Sequence, residues 1–363
     1  MKVTTILFAV LMFGVLVTIH EFGHYLFARI FKVTIEEFSI GMGPKILSKK
    51  SKKTGILYSL RLLPLGGYVQ MVGEDGVVED ENALNKKAPW KRLIILAAGA
   101  VFNILVGVIL CAVFVFMTTD ALGSTQIAKF TENATTSHYL KQYDIIKEVN
   151  GHKVYTASEL SFRVMWEAKE AENAKVRDEN GEWITLEGVA LVDFKIERDG
   201  DILVLRDVPV TMSATEGVGI GQQDFYVYAE KATFGSVTRH IFGEVRTNTV
   251  QVWASLGALL TGRVGIQHMS GPVGITEQMT QVASHGFEYL IYFAALIAIN
   301  LGIFNLLPVP ALDGGRLVFL IIEMIRGKPL NPELENKIHG IAMMLLLGLS
   351  FFILVKDIFG IFF

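Results

Sequence analysis

Residues 4–28 read TTILFAVLMFGVLVTIHEFGHYLFA, an apolar run that contains two histidines and one glutamate near its end. About 20 mostly apolar residues are enough for a helix to cross the roughly 30 Å hydrocarbon core of a bilayer. The polar HEFGH stretch and the lack of a small-residue cleavage site disfavour the alternative interpretation, a secretory signal peptide. We therefore predict a transmembrane helix with ionisable side chains inside it.

The composition of the whole chain indicates a membrane protein. The chain has 363 residues, of which 51% are hydrophobic and 19% are charged, and its mean hydropathy is +0.43. Soluble domains carry more charge and fewer apolar residues. Three further apolar stretches, at about 93–117, 287–308 and 338–362, bring the expected number of transmembrane helices to four.

The net charge and the single cysteine exclude other classes of protein. The net charge is −3, with 33 basic and 36 acidic residues, so nothing favours a nucleic acid as partner. Cys111 alone can form neither an internal disulfide nor a cysteine-based zinc site. Any metal site must therefore use histidine and carboxylate ligands.

Basic residues set the expected orientation in the membrane. Eleven of them lie between the first two spans, from Lys32 to Arg92, and short cytoplasmic loops carry such an excess. This loop is therefore expected on the cytoplasmic side. Both termini and the long segment 118–286 are then expected on the outer face.

Three segments outside the spans have patterns of their own. Residues 33–74 mix β-branched and aromatic residues with Gly and Pro breaks, which predicts strands against the cytoplasmic side of the helices, with a solvated loop as the alternative. The stretch YDIIKEVNGHKV at 143–154 resembles a PDZ domain, although Tyr143 stands where that pattern has glycine. Such a domain either binds a peptide strand or serves as a spacer.

Residues 234–270 predict an amphipathic helix on the outer membrane surface.

The expected fold class is a membrane α-helical protein with about four transmembrane helices, a cytoplasmic-side membrane-associated β-region and an extracytoplasmic PDZ-like α+β domain. The predicted order is transmembrane helix 1 at 1–31, the β-region and loop at 32–91, helix 2 at 92–118, the PDZ-like domain at 119–215, a linker and amphipathic helix at 216–286, helix 3 at 287–315, a cytoplasmic loop at 316–337 and helix 4 at 338–363.

The HEFGH stretch carries His20, Glu21 and His24. Residues four apart on a helix share a face, so both imidazoles can reach one Zn²⁺ ion. Neutral histidine ligands leave the ion most of its charge, which lowers the pKa of a bound water, and a carboxylate such as Glu21 can take up its proton. A buried, hydrogen-bonded polar cluster without metal is the alternative.

The stretch NLLPVPALDGG at 305–315 ends the third span and offers a further ligand. The prolines end the helix and the glycine pair lets the backbone turn, so Asp313 is expected at a helix break on the same bilayer face as HEFGH. Asp313 is therefore the candidate third ligand. Its alternative role is the N-cap of a following helix.

HEFGH in the first span, combined with N-x-x-P-x-P-x-L-D-G-G in a late span and a PDZ-like insertion, resembles the site-2 protease family of intramembrane zinc metalloproteases. The resemblance covers nearly the whole chain. It implies a Zn²⁺ ion bound by His20, His24 and Asp313, with Glu21 as the catalytic base, and a membrane-reentrant β-structure at 33–74.

The second span is similar to a further element of that family, G-x-x-x-N, at Gly99 and Asn103. We expect Gly67, Asn103 and Asn305 to contact the substrate. Only one PDZ-like domain fits between 124 and 213, whereas many members of the family carry two.

We therefore predict a zinc-dependent intramembrane endopeptidase of a bacterial plasma membrane. Its expected partners are the lipid bilayer and the transmembrane segments of single-span membrane proteins, such as anti-sigma factors or remnant signal peptides. A non-catalytic membrane adaptor that holds clients through the PDZ-like domain is the alternative. A metal-ion transporter would need more intramembrane ligands than these spans offer.

Overall fold

The computed structural model describes residues 3–74, 78–118, 122–131, 134–167, 169–177, 183–211, 224–262, 265, 271–328 and 330–362. The chain divides into two compact units. The first consists of Met1–Leu110 and Val252–Phe363, and the second of Cys111–Gln251. Each unit has a hydrophobic core of its own.

Four of the described helices are long and apolar enough to span a bilayer. They are α1 Val3–Ile30, α2 Pro89–Met117, α6 Phe287–Leu306 and α8 Pro332–Phe362. Helix α6 ends where Leu307 becomes extended before Pro308, because a residue that precedes proline is disfavoured in the helical region. The number of spans predicted from the sequence is thereby confirmed.

The other described helices are α3 Ala157–Glu167, α4 Phe234–Leu260, α5 Pro272–Ala283 and α7 Asp313–Arg326. The helix predicted at 234–270 is present as α4, and the rest of that range lies largely outside the described residues. The sequence does not predict α5. Most of the segment 316–337, expected to be a cytoplasmic loop, is helical, because α7 and the start of α8 occupy it. Its side of the membrane stays a prediction.

Strands β1 Ile35–Lys50 and β2 Leu57–Met71 form a two-stranded sheet in the first unit. The first half of β1 is paired on both edges, so that Ile40 lies opposite Gly67 on one side and Leu60 on the other. The second half of β1 pairs with the start of β2, from Lys50 opposite Leu57 to Lys45 opposite Arg61. The strands predicted within 33–74 are thereby confirmed.

Helix α1 packs closely against β2. Gly14 faces the carbonyl oxygen of Pro64, and a Cβ atom at Gly14 would clash with it. Gly66 lies beside Val17 with φ +86°, a left-handed conformation that glycine adopts without strain. This approach brings one edge of β2 alongside the part of α1 that carries HEFGH.

The outer parts of this sheet expose large apolar side chains. They include Met42, Ile46, Leu47, Leu62 and Leu63. Apolar surface of this extent is typical of regions that contact a partner or lipid.

The second unit contains a sheet of seven strands within the described residues. They are β3 Gly123–Phe130, β4 Ile145–Val149, β5 His152–Lys153, β6 Lys169–Arg177, β7 Trp183–Arg198, β8 Asp201–Thr211 and β9 Phe225–Ala229. The order is β6-β7-β4-β3-β9, with β5 beside β4 and β8 beside β7. Leu160 of α3 packs with Ile127 and Phe194 in its core. The unit is α+β, and its likeness to a PDZ domain stays a prediction.

Candidate metal centre

His20 and His24 lie one turn apart on α1 and are both buried. Their Nε2 atoms are 3.2 Å apart, and their rings are nearly perpendicular, at 83°. Nδ1 of His24 donates a hydrogen bond of 2.8 Å to the carbonyl oxygen of Ile95 on α2. Because a carbonyl oxygen can only accept, Nδ1 carries the proton. Nε2 of a neutral His24 therefore presents its lone pair toward His20.

Asp313 approaches these two rings from a distant part of the sequence. Its Oδ2 atom is 3.0 Å from Nε2 of His20 and 3.2 Å from Nε2 of His24. The turn around it is tightly packed, since a Cβ atom at Gly315 would lie 2.5 Å from the carbonyl oxygen of Val309. Only glycine fits at position 315 without displacing this turn.

Asp313 is not the N-cap of α7. Leu312 occupies the N-cap position, and no side chain caps the helix. Asp313 is the first helical residue and directs its carboxylate at the histidines. The alternative role that the sequence left open for this residue is therefore wrong.

These three side chains could hold a metal ion, since one ligand atom from each lies within 4.8 Å of the others. Two ligands on a tetrahedral zinc ion, each about 2.0–2.1 Å from it, lie about 3.3 Å apart. The three distances observed here are 3.2, 3.0 and 3.2 Å. When both Nε2 atoms are unprotonated, three electron-rich atoms this close repel one another unless a cation lies between them. Two imidazoles and one carboxylate also leave one position open, as catalytic zinc sites do.

Two residues of α2 pack against the histidines. Nδ2 of Asn103 is 3.3 Å from Nδ1 of His20, and its Oδ1 is buried without a hydrogen-bond partner among the described residues. Turning the amide by half a rotation brings Oδ1 to Nδ1, where it accepts the ring proton. Nε2 of His20 is then free to bind metal. Gly99 leaves the necessary room, since a Cβ there would lie 2.8 Å from Nε2 of His20.

Glu21 lies beside the cluster on α1. Its Oε2 atom accepts a hydrogen bond of 3.0 Å from the backbone N–H of Val69 on β2. Gly67 is also close, because a Cβ atom there would lie 3.8 Å from Cγ of Glu21. The edge of β2 therefore holds one carboxylate oxygen and leaves the other for a water molecule.

The three residues predicted to contact substrate have different surroundings. Gly67 lies beside Glu21, at the edge of β2. Asn103 is 0% exposed and lies against His20, so a substrate cannot reach it in this conformation. Asn305 is half-buried in the last turn of α6, and no described hydrogen bond joins it to the His20, His24 and Asp313 cluster.

Sequence reasoning misses three groups near the site. The carbonyl of Ile95 and the N–H of Val69 are backbone groups, for which residue type gives no signal. The third is His339 on α8, which bonds to the turn before Asp313. His339 could have been found from the sequence, because an ionisable residue inside an apolar helix is costly in lipid and therefore indicates a functional role.

A cavity of about 790 Å³ adjoins Asp313. Its lining is rich in charge, with Arg92 paired to Glu323 at 2.9 Å and Arg316 paired to Glu74. Asp313 is therefore next to a cavity whose lining includes several charged side chains, although the surrounding helices are apolar.

Comparison with known proteins gives consistent matches over nearly the whole chain. The model of peptidase family M50 matches residues 8–349. A protein of Clostridium acetobutylicum named as a zinc metalloprotease is 32% identical over 360 residues, covering 99% of this chain and 98% of the relative. A Fusobacterium nucleatum protein with the same description is 32% identical over 371 residues, covering 99% of both chains. The regulator of sigma-W protease RasP of Bacillus subtilis is 29% identical over 435 residues, covering 96% of this chain and 97% of RasP.

Proposed function

The chain belongs to peptidase family M50, and from that membership we propose that His20, His24 and Asp313 hold its zinc ion and that Glu21 is its catalytic base. The family and the relatives make the protein a membrane-embedded zinc metalloendopeptidase. The observation that carries the assignment of residues is the meeting of Nε2 of His20, Nε2 of His24 and Oδ2 of Asp313 beside Glu21. Ionisable groups inside apolar helices need such a compensating role.

Zinc, when bound, supplies Lewis-acid activation of a water molecule and of the scissile carbonyl group. Glu21 accepts one proton from the attacking water, whose oxygen adds to the carbonyl carbon. The same carboxyl group then gives this proton to the departing amine nitrogen as the C–N bond breaks. The N–H of Val69 keeps the carboxylate oriented by holding its second oxygen.

The substrate must be extended at the site, because a helix hides its amides in hydrogen bonds. The segment Gly67–Met71 of β2 pairs with β1 on one edge, and its other edge lies beside Glu21. An unwound substrate segment can add to that edge as a further strand. Gly67 lies at this edge beside Glu21, and the absence of a side chain also lets β1 pack closely, since a Cβ atom there would lie 2.6 Å from the carbonyl oxygen of Ser39.

The proposed substrates are transmembrane segments of single-span membrane proteins, such as anti-sigma factors or remnant signal peptides. The name of the Bacillus subtilis relative, regulator of sigma-W protease, supports the first of these. The proposed location is a bacterial plasma membrane, with the metal centre toward the cytoplasm and the PDZ-like domain at 119–215 outside. The basic loop Lys32–Arg92 supports that orientation.

The assignment is tested by measuring zinc content and cleavage of a model transmembrane substrate in three variants. Glu21→Gln should keep zinc and lose at least about a hundredfold in turnover, because the amide cannot accept the proton. Asp313→Ala should lose zinc during dialysis against a mild chelator, because the ligand set is incomplete. Glu36→Gln, at an exposed carboxylate just after α1, should match the wild type in both measurements.

Turnover by Glu21→Gln within about tenfold of the wild type would remove that residue from the chemistry. Full zinc occupancy in Asp313→Ala would remove Asp313 from the ligand set. A wild-type protein that binds client segments but neither holds zinc nor cuts them would favour the adaptor alternative.

A further inference from the structure

The turn between α6 and α7 has almost all of its backbone donors satisfied from within. Pro308 and Pro310 have no N–H, and the N–H groups of Leu307, Val309 and Leu312 bond to carbonyls of residues 304–309. Ala311 is different, because its N–H donates to a side chain on another helix. The acceptor is Nδ1 of His339 on α8, at 2.8 Å.

Ala311 also has an unfavourable backbone conformation. Its φ is +83°, in the left-handed region that residues with a Cβ atom rarely adopt. Such a conformation is strained and persists only where neighbouring contacts enforce it. The hydrogen bond that His339 accepts is donated by this residue, two positions before Asp313.

The direction of this bond fixes the state of the His339 ring. A backbone N–H can only donate, so Nδ1 accepts and a neutral ring carries its proton on Nε2. Nε2 is buried without a hydrogen-bond partner among the described residues. The ring packs edge-on against Phe319 of α7, with centroids 5.4 Å apart. His339 therefore contacts both the turn before Asp313 and the helix after it.

We propose that His339 is a positioning residue that sets the place of the Asp313 carboxylate in the metal centre. It acts through the Ala311 N–H, which holds the strained turn in the conformation that aims Oδ2 of Asp313 at His20 and His24. The inference rests on the proposed role of Asp313 as a zinc ligand. It makes α8, which contributes no ligand to the cluster, a support of that cluster.

The role is tested with substitutions that keep or remove the acceptor. Asn places its side-chain oxygen near the position of Nδ1, so His339→Asn should keep the bond to Ala311. Leu and Phe remove the acceptor, and Phe retains a ring against Phe319 if Leu disturbs folding. Asn336→Ala is the matched control, because Asn336 lies one turn earlier on α8 and lines the same cavity.

Three quantities are measured on the purified full chain: zinc affinity by chelator competition, the visible spectrum of the Co²⁺-substituted protein and the thermal midpoint of the metal-free protein. His339→Leu and His339→Phe should bind zinc about tenfold more weakly, as is typical when a group that orients a ligand is lost. Their Co²⁺ spectra should shift while the metal-free midpoints stay near wild type. His339→Asn and Asn336→Ala should match the wild type.

The proposal is overturned if His339→Phe retains wild-type zinc affinity and Co²⁺ spectrum, or if His339→Asn is as impaired as His339→Phe. Asp313→Ala, measured in parallel, separates the two claims. Loss of zinc in Asp313→Ala without loss in His339→Phe removes only the role of His339. Wild-type zinc affinity in Asp313→Ala removes the proposed ligand and this inference together.

Discussion

Asn103 is fully enclosed, and its amide contacts Nδ1 of His20. We expect Asn103→Leu to weaken zinc binding about tenfold or more, because groups that bond to a ligating histidine fix its tautomer and orientation. Asn103→Asp keeps an acceptor and should bind zinc more nearly like the wild type. Chelator competition on the purified protein measures both.

Asn82→Ala serves as the control for this substitution, since Asn82 is exposed. Equal zinc affinity in Asn103→Leu and the wild type would contradict the orienting role. It would leave contact with substrate, after an opening of the helices, as the remaining role for Asn103.

Gly99 is the residue that leaves space for the two imidazoles. A methyl group at this position would lie 2.8 Å from Nε2 of His20, and crowding of this kind costs about 1–3 kcal/mol. We expect Gly99→Ala to reduce zinc content after dialysis and to reduce cleavage with it. Gly257→Ala, where no atom lies within 4 Å of the new methyl group, should retain both.

At the scale of residues, the sequence predicts the local part of the centre. His20 and His24 are four apart on one helix, so their meeting follows from helix geometry alone. The meeting with Asp313 depends on packing between α1 and the turn after α6. The sequence places Asp313 at a helix break on the same bilayer face, and the resemblance to a family adds its role as a ligand. Asn103 and His339 enter through contacts between helices, which no spacing within one segment reveals.

Among the elements, the β1–β2 sheet contains a buried charge cluster. Glu37 accepts hydrogen bonds from Arg61 at 2.9 Å and from Lys45 at 3.0 Å. Burial would raise the pKa of the Glu37 carboxyl group, but the nearby hydroxyl groups of Ser59 and Tyr68 and the hydrogen bonds from Lys45 and Arg61 outweigh it and lower the pKa to about 2. The ordinary value is 4.5.

A depressed pKa means that the carboxylate stabilises the folded state above its ordinary pKa and that this contribution is lost as the pH falls through about 2. Glu37→Gln should therefore lower the thermal midpoint at pH 7, with a loss of about 1–3 kcal/mol. The difference from the wild type should shrink progressively below pH 4.5. Thermal unfolding in detergent across this pH range measures it.

Glu36→Gln is the internal control here, because Glu36 is exposed on the neighbouring position of the same strand. A difference between Glu37→Gln and the wild type that is the same at pH 7 and near pH 2 would show that the charge of Glu37 does not stabilise the sheet.

Helices α5 and α7 could not be predicted, because the sequence patterns at their positions also occur in loops. Helix α7 has Val318, Ile322 and Ile325 at helical spacing, but basic residues around it suggest a loop. Helix α5 begins at a Gly-Pro break, and its first N–H groups are satisfied by a distant side chain, Asp357, which accepts from Gly271 at 2.9 Å and Gly274 at 3.1 Å. A cap supplied by another helix leaves no mark in the local sequence.

For the whole molecule, orientation in the membrane is open to a direct test. We expect a membrane-impermeant thiol reagent added outside to label Asp201→Cys and to miss Lys52→Cys, because the basic loop is predicted inside and the PDZ-like domain at 119–215 outside. Both positions are exposed, and the only natural cysteine, Cys111, is buried and can be replaced. The reverse pattern would invert the predicted topology.

The order of spans and soluble segments follows from composition, because apolar runs of sufficient length are rare in soluble proteins. The division into two units does not follow the spans. It falls within α2, between Leu110 and Cys111, and within α4, between Gln251 and Val252. Domain borders drawn at changes of composition therefore miss helices that continue from one unit into the next.

The proposed metal cluster takes its histidines from α1 and its carboxylate from the start of α7, and His339, its proposed support, comes later still in the sequence. A ribosome releases HEFGH into the membrane long before it translates the Leu-Asp-Gly-Gly turn. The nascent chain then has two imidazoles but no carboxylate at the site, and its hold on zinc is correspondingly weak. With the proposed ligand set, we therefore expect the protease to be inactive during its own biosynthesis, while its transmembrane helices are not yet packed together and are open to cleavage.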